Sequence, residues 1–243
     1  MSIITKNFNG KIPWDRDSYI SVNFSFDKRF NSYSDAINFI DSLEFYEMND
    51  KLIIHQDIPL VNRIGSESQN GEVYTNNIPN SALKILPITQ DSKYSVNAFE
   101  IEIATRASQL VLEGVSPHFP IVYEFGYCEN FIGYNHSDIS VHFLISERAS
   151  CDLESFLNRK RFNNSLTSEL KQMIKTQCLK AISDMHKYLG ICHNDLHLRN
   201  FLVMENEQGE ILVLIHDFRS AEYRETYQNL DYEFFEREFK DFL

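Results

Sequence analysis

The chain has 243 residues and a mass of 28.5 kDa, with 43% hydrophobic and 24% charged residues, the composition of a globular protein with ample core. A net charge of −12 argues against nucleic acid as a general partner, and no apolar run approaches the ~20 residues that span a bilayer. The opening "MSIITKNFNGKIPW" lacks the pattern of a signal peptide, and Cys128, Cys151, Cys178 and Cys192 are too widely spaced for a paired metal motif, so free thiols in a reducing, cytoplasmic setting are expected.

Residues 1–60 carry no motif and read as an extension packed on the domain that follows. Within them "SYISVNFSFDKRF" suggests a strand, and "SDAINFIDSLEFYE" a short helix capped by Ser34 or Asp35, with Ile37, Ile40 and Leu43 on one face. Gly65 and Gly71 then bracket a small polar loop, and Glu72-Val73-Tyr74 reads as a returning strand. "SALKILPI" is a strand with Ala82, Lys84 and Leu86 on one face, because strand side chains alternate. "NAFEIEIATRASQLVLEG" has helical spacing, with Glu100, Ile103, Ala104, Ala107 and Leu110 inward and Glu102, Arg106 and Gln109 on a more polar face.

Two strands follow within 116–130 and 138–150, joined by the loop "FIGYNHS". Asp152 is placed to cap a helix starting at "CDLESFL". A long helix over 165–190 carries an apolar stripe of Leu170, Met173, Ile174, Ala181, Ile182, Met185 and Leu189, broken at Gln177 and stopped by Gly190; His186 on it reads as a core histidine. Next come a loop from His193, the runs Phe201–Met204 and Ile211–Ile215 around the turn-forming "ENEQGE", and Asp217 at the far end. That hairpin brings Asn200 and Asp217 toward one divalent cation, with Asp195 one loop away and free to take a proton; such hard oxygen ligands suit Mg²⁺. The tail "LDYEFFEREFKDFL" reads as an amphipathic helix docked through Tyr232, Phe235, Phe239 and Phe242.

"HND" (His193–Asp195), Asn200 and "DFR" (Asp217–Arg219) resemble the catalytic core of the protein kinase superfamily, over roughly Ile64 to Ala221. The resemblance implies an α+β, bilobal protein-kinase-like fold: a small β-rich N-lobe over 61–148 and a truncated helical C-lobe over 149–243. It further implies ATP and Mg²⁺ as cofactors, with Asp195 as base, Lys84 on the phosphates, Glu100 (or its rival Glu102) as the lysine's partner, and Asn200 and Asp217 on the metal. His197 would donate to the γ-phosphate. Gly65, Gly71, Val73 and Ala82 would line the nucleotide, Ser146 would stand at the gatekeeper position, Glu147 and Ala149 would present backbone to adenine, and Asp152 would lie near the ribose.

The departures are as informative. Asn194 stands where many kinases have arginine, Arg219 where they have glycine, and the middle glycine of the glycine-rich loop is missing. The "D-x-H-x-x-N" spacing of Asp195, His197 and Asn200 is similar to small-molecule kinases, and no Ala-Pro-Glu segment follows Asp217. The whole resembles a minimal, divergent kinase of the kind encoded by large DNA viruses, at work in the host cytoplasm or virion, with room for a partner protein that completes the short C-lobe. The main expectation is a serine/threonine protein kinase; the alternatives are a small-molecule kinase acting on a hydroxyl compound and a pseudokinase interaction module.

Overall fold

The computed structural model describes residues 46–48, 51–53, 62–64, 71–75, 80–88, 96–133, 136–206, 208–223, 228–240 and 242. The expected strand over 18–30 lies outside these residues, as does most of the expected helix over 34–47. The end of that helix is overturned: Tyr46–Met48 (β1) pairs antiparallel with Lys51–Ile53 (β2). Aromatic and β-branched residues flanking Asn49-Asp50 favour a hairpin over a helix there. The described residues divide into two compact units, one holding those up to Thr105 and Ile121–Arg148, the other Arg106–Pro120 and those from Ala149 onward.

The first unit is built on a five-stranded antiparallel sheet. Asn62–Ile64 (β3), Glu72–Thr75 (β4), Ser81–Pro87 (β5), Val122–Gly133 (β6) and His136–Glu147 (β7) lie in the order β3-β4-β5-β7-β6. The expected loop over 131–137 is thus mostly strand, with Gly133 paired to His136 across a tight connection. The preceding strand starts at Val122, not Ser116. Helix α1 (Val96–Leu112) begins in this unit, and Ile101 closes a core with Leu86, Val122, Phe125 and Leu144. Gly71 is required by packing: its φ is +147°, and a Cβ there would stand 2.7 Å from the carbonyl oxygen of Ile85.

The second unit centres on a three-stranded antiparallel sheet. Its strands are Cys151–Asp152 (β8), Phe201–Glu205 (β9) and Ile211–Ile215 (β10), with β9 in the middle. Helices α2 (Leu153–Phe162), α3 (Ser168–Asp184) and α4 (Gln228–Lys240) accompany it. Asp152 caps α2 and Thr167 caps α3 through side-chain oxygens, and Gly190 ends the long helix at φ 69°, after a final π-helical turn over Met185–Leu189. The α3 stripe is buried at Ile174, Cys178, Ala181 and Ile182, whereas Met173, expected inward, is exposed. From α4, Phe235 and Phe239 are fully buried and stacked on one another and on Phe201.

Gln177, which interrupts the stripe, proves to be structural. Strand β10 is an edge of this sheet, so its outward backbone groups need partners. Gln177 donates from Nε2 to the Ile211 carbonyl at 2.9 Å and accepts from the Val213 N–H through Oε1 at 2.9 Å. His118 continues the cover, donating from Nδ1 to the Val213 carbonyl (2.8 Å) while its own carbonyl accepts from Ile215 N–H (2.9 Å). One side-chain amide and one histidine therefore act as a substitute strand.

Candidate active site

The loop from Cys192 to Asn200 is fixed from beneath by a buried carboxylate. Asp231, near the start of α4, is wholly inaccessible and accepts hydrogen bonds from His193 N–H (2.8 Å), Asn194 N–H (3.0 Å) and His186 Nε2 (2.8 Å). A carboxylate out of water is tolerable only when its oxygens are filled in this way. His186 is thus a core histidine with a defined partner, and its ring also meets Tyr232 edge-on at 5.3 Å. Cys192 exchanges both backbone hydrogen bonds with Glu222 at 2.9 Å, which ties the segment after Asp217 to the start of the loop.

His193 is buried, and desolvation holds its pKa below the ordinary imidazole value. Its Nε2 donates to the His216 carbonyl (2.9 Å), its ring packs on Phe218 at 5.6 Å, and Nδ1 has no partner among the described residues. A neutral imidazole so placed braces the loop against the hairpin and is not exposed to a substrate. Asn194, at φ 62°, donates its side-chain amide to the Ser220 carbonyl at 3.0 Å.

Asp195 is solvent-exposed, whereas Asn200, at the end of a 3-10 turn over Leu198–Asn200, is buried. Asn200 Nδ2 donates to the Asp195 carbonyl at 2.7 Å and lies 3.4 Å from Asp195 Oδ2. Because that carbonyl can only accept, the amide orientation is determined, and Oδ1 remains an oxygen donor for a cation. His197 Nε2 stands 3.7 Å from Asp195 Oδ2, close enough for charge attraction when protonated but too far for a hydrogen bond.

The β9–β10 register pairs Phe201 with Ile215, and His216 N–H donates to the Asn200 carbonyl at 3.1 Å. Asn200 and Asp217 therefore emerge at the same end of one hairpin. Asp217 sits at φ 63° and ψ 64°, a left-handed conformation that costs a non-glycine residue about 1–2 kcal/mol. The buried Phe218, packed on Phe119 at 6.4 Å and on His193, anchors the turn that holds it. The donor set, one amide oxygen and one carboxylate at a strained turn, fits a hard divalent cation such as Mg²⁺ that keeps most of its shell for water and phosphate.

In the first unit, Lys84 lies on the central strand β5, opposite Val73 on β4 and Leu144 on β7. Its ammonium is ion-paired with Glu100 Oε1 of α1; Glu100 is buried and Glu102 is exposed. Ala82 pairs with Thr75 and Ser146. Gly65 lies outside the described residues. The Glu147 N–H is spent on the Ile121 carbonyl (2.8 Å), and its carboxylate accepts from Ile121 N–H (3.3 Å). In the second unit, Ala149 is half-buried ahead of Ser150, whose N–H binds Val203. Both Asp152 oxygens are engaged by Ser155, at 2.8 and 2.7 Å, so a ribose contact would have to share them.

Three residues that shape the site were not singled out from sequence: Asp231, Gln177 and His118. An acid in the first turn of a helix already has an ordinary electrostatic explanation, which hid Asp231. A model of the lipopolysaccharide kinase (Kdo/WaaP) family matches residues 133–240, from the β6–β7 connection through α4 and including Asp195, His197, Asn200 and Asp217. No curated protein matches the chain. The matched stretch is thus similar to a family of kinases, and a kinase-type phosphotransferase is what the site and the similarity jointly support.

Proposed function

We propose that the chain is an ATP- and Mg²⁺-dependent kinase whose acceptor is a hydroxyl of a saccharide or similar small molecule. The observation that carries this reading is the Asp195–Asn200 loop. Asn200 spends its amide hydrogens on Asp195, which leaves an exposed carboxylate and an oriented amide oxygen at the hairpin end where Asp217 emerges. The similarity of this stretch to lipopolysaccharide kinases favours a sugar hydroxyl over the serine or threonine of a protein, so the expected order of those two acceptors is reversed.

In this reading Asp195 accepts the proton of the acceptor hydroxyl as that oxygen displaces ADP from the γ-phosphoryl group. Asn200 Oδ1 and the Asp217 carboxylate would hold Mg²⁺, which when bound neutralises charge on the phosphate oxygens. Lys84, kept charged and aimed by Glu100, would hold the α- and β-phosphates, and His197 would add a weaker positive group beside Asp195. Gly65, Gly71, Val73, Ala82, Glu147, Ala149 and Asp152 keep the nucleotide-lining roles that the kinase resemblance implies. Positioning and charge supply most of the acceleration.

The test is transfer from γ-labelled ATP by the purified full chain to lipopolysaccharide, to free sugars and to a casein-type protein, with and without Mg²⁺. Label in a saccharide fraction, dependent on Mg²⁺, is expected. Label in the protein alone would return the function to a serine/threonine kinase. Failure to label any of the three would remove the enzyme reading.

A further inference from the structure

The segment after Asp217 is held at three successive points within the second unit. The Ser220 carbonyl accepts from Asn194, Glu222 exchanges two backbone hydrogen bonds with Cys192, and the Tyr223 hydroxyl accepts from the Arg106 guanidinium. The last contact reaches helix α1. Arg106 Cζ also lies 5.7 Å from the centre of the Tyr223 ring, within cation–π range, so the pair interacts through both the hydroxyl and the ring face. Tyr223 is half exposed, and an aromatic side chain so exposed buries too little area to be there for core packing.

Arg106 and Glu100 stand on the same uninterrupted helix, six residues and about 9 Å of rise apart. We infer that Tyr223 and Arg106 are positioning residues: their contact anchors α1 to the loop that starts at Cys192 and thereby fixes the Glu100 carboxylate that pairs with Lys84. The chemistry suits the task. A planar guanidinium both donates to an oxygen and stacks on a ring, whereas lysine does neither in a fixed direction. Asn194 and Cys192 secure the other end of the same segment, so the tether runs from the catalytic loop through Tyr223 to α1 without a charged group that must first be phosphorylated. This inference rests on the reading of Lys84 and Glu100 as the phosphate-holding pair.

The full chain would be compared with Tyr223→Phe, Tyr223→Ala, Arg106→Met, Arg106→Lys and the double variant Tyr223→Ala/Arg106→Met. Two readouts are taken: amide hydrogen exchange over Val96–Leu112, and affinity for a fluorescent ATP analogue with Mg²⁺. Faster exchange around Glu100 is expected in Tyr223→Ala and Arg106→Met, with nucleotide affinity weakened about three- to ten-fold, as loss of one charge-assisted hydrogen bond implies. Tyr223→Phe and Arg106→Lys should be intermediate, and the double variant no worse than either single one, because both remove one shared contact. Unchanged α1 exchange in every variant overturns the tether. Faster exchange with wild-type affinity, while Lys84→Met does weaken binding, overturns the positioning role and leaves the nucleotide reading intact. If even Lys84→Met leaves affinity unaltered, the phosphate-holding pair falls, and the positioning role falls with it.

Discussion

Replacement of Asp231 should be the most damaging single change outside the reacting groups. Asp231→Ala strands the N–H groups of His193 and Asn194 and the Nε2–H of His186, all within a region closed to water. An unsatisfied buried donor costs about 1–3 kcal/mol, and relaxation or an entering water would recover part of the sum, so a loss of about 3–5 kcal/mol is expected. Asp231→Asn keeps the shape but turns one oxygen into a donor facing donors, and should cost about 2–3 kcal/mol. Urea denaturation of both variants measures these losses, and phosphotransfer assayed well below the unfolding midpoint shows whether the loop has moved. The α4 helix itself stays docked through Phe235 and Phe239, so its far-ultraviolet signature should persist at low denaturant. A loss below about 0.5 kcal/mol for Asp231→Ala would refute the claim that this carboxylate holds the loop.

Asp195→Asn should lower transfer by about 10²–10⁴-fold while nucleotide affinity stays near wild type, whereas Lys84→Met should weaken both; equal residual turnover in wild type and Asp195→Asn would sink the assignment of the base. ATP with Mg²⁺ should raise the melting temperature, and Asp217→Ala should abolish most of the magnesium-dependent part; an unchanged shift takes Asp217 out of the site. Gln177→Leu keeps the helix stripe apolar but exposes the Ile211 carbonyl and Val213 N–H, and should cost about 2–4 kcal/mol with faster amide exchange at Val213; wild-type protection there would contradict the edge-cover role. Burial depresses the imidazole pKa of His193 and of His142, so the unfolded chain takes up protons that the folded chain refuses. Their stabilising share is therefore complete above the ordinary imidazole pKa of about 6.5 and is lost as pH falls below it toward the folded values. The urea midpoint should drop between pH 7.5 and 5.5, and less so in His193→Gln; a midpoint that rises on acidification would reverse the sign.

The parts legible in the sequence are those whose signal is local. Strand alternation gave Lys84 its face, the spacing of Asp195, Asn200 and Asp217 around a hairpin placed two ligand-type oxygens at one end, and Asp152 and Gly190 carry cap chemistry that needs no tertiary information. Glu100 and Glu102 were separable only by the register of α1 against β5, which a periodicity count over apolar residues resolves to within a residue or two. The β6–β7 strands run further than expected because polar residues such as Asn130 and His136 read as loop when only their hydropathy is weighed.

What the sequence hid has one physical character: long-range satisfaction of backbone hydrogen-bonding groups by polar side chains. Gln177 looked like a flaw in an apolar stripe because a stripe is judged by hydropathy. Its amide has one donor side and one acceptor side, the pair of groups that an exposed strand edge presents, so at an edge it does what leucine cannot. Asp231 works by the same logic with opposite economy, since a carboxylate only accepts and the loop above it offers only donors. Both residues lie in the second unit, and Asp231 fixes the loop that carries Asp195 while Gln177 covers the strand that ends at Asp217. A reacting carboxylate in an exposed loop can hold its place only if such buried partners take up the backbone's donors and acceptors. For that reason the least conspicuous polar residues of a helix, and not the motif alone, decide whether the motif is in working order.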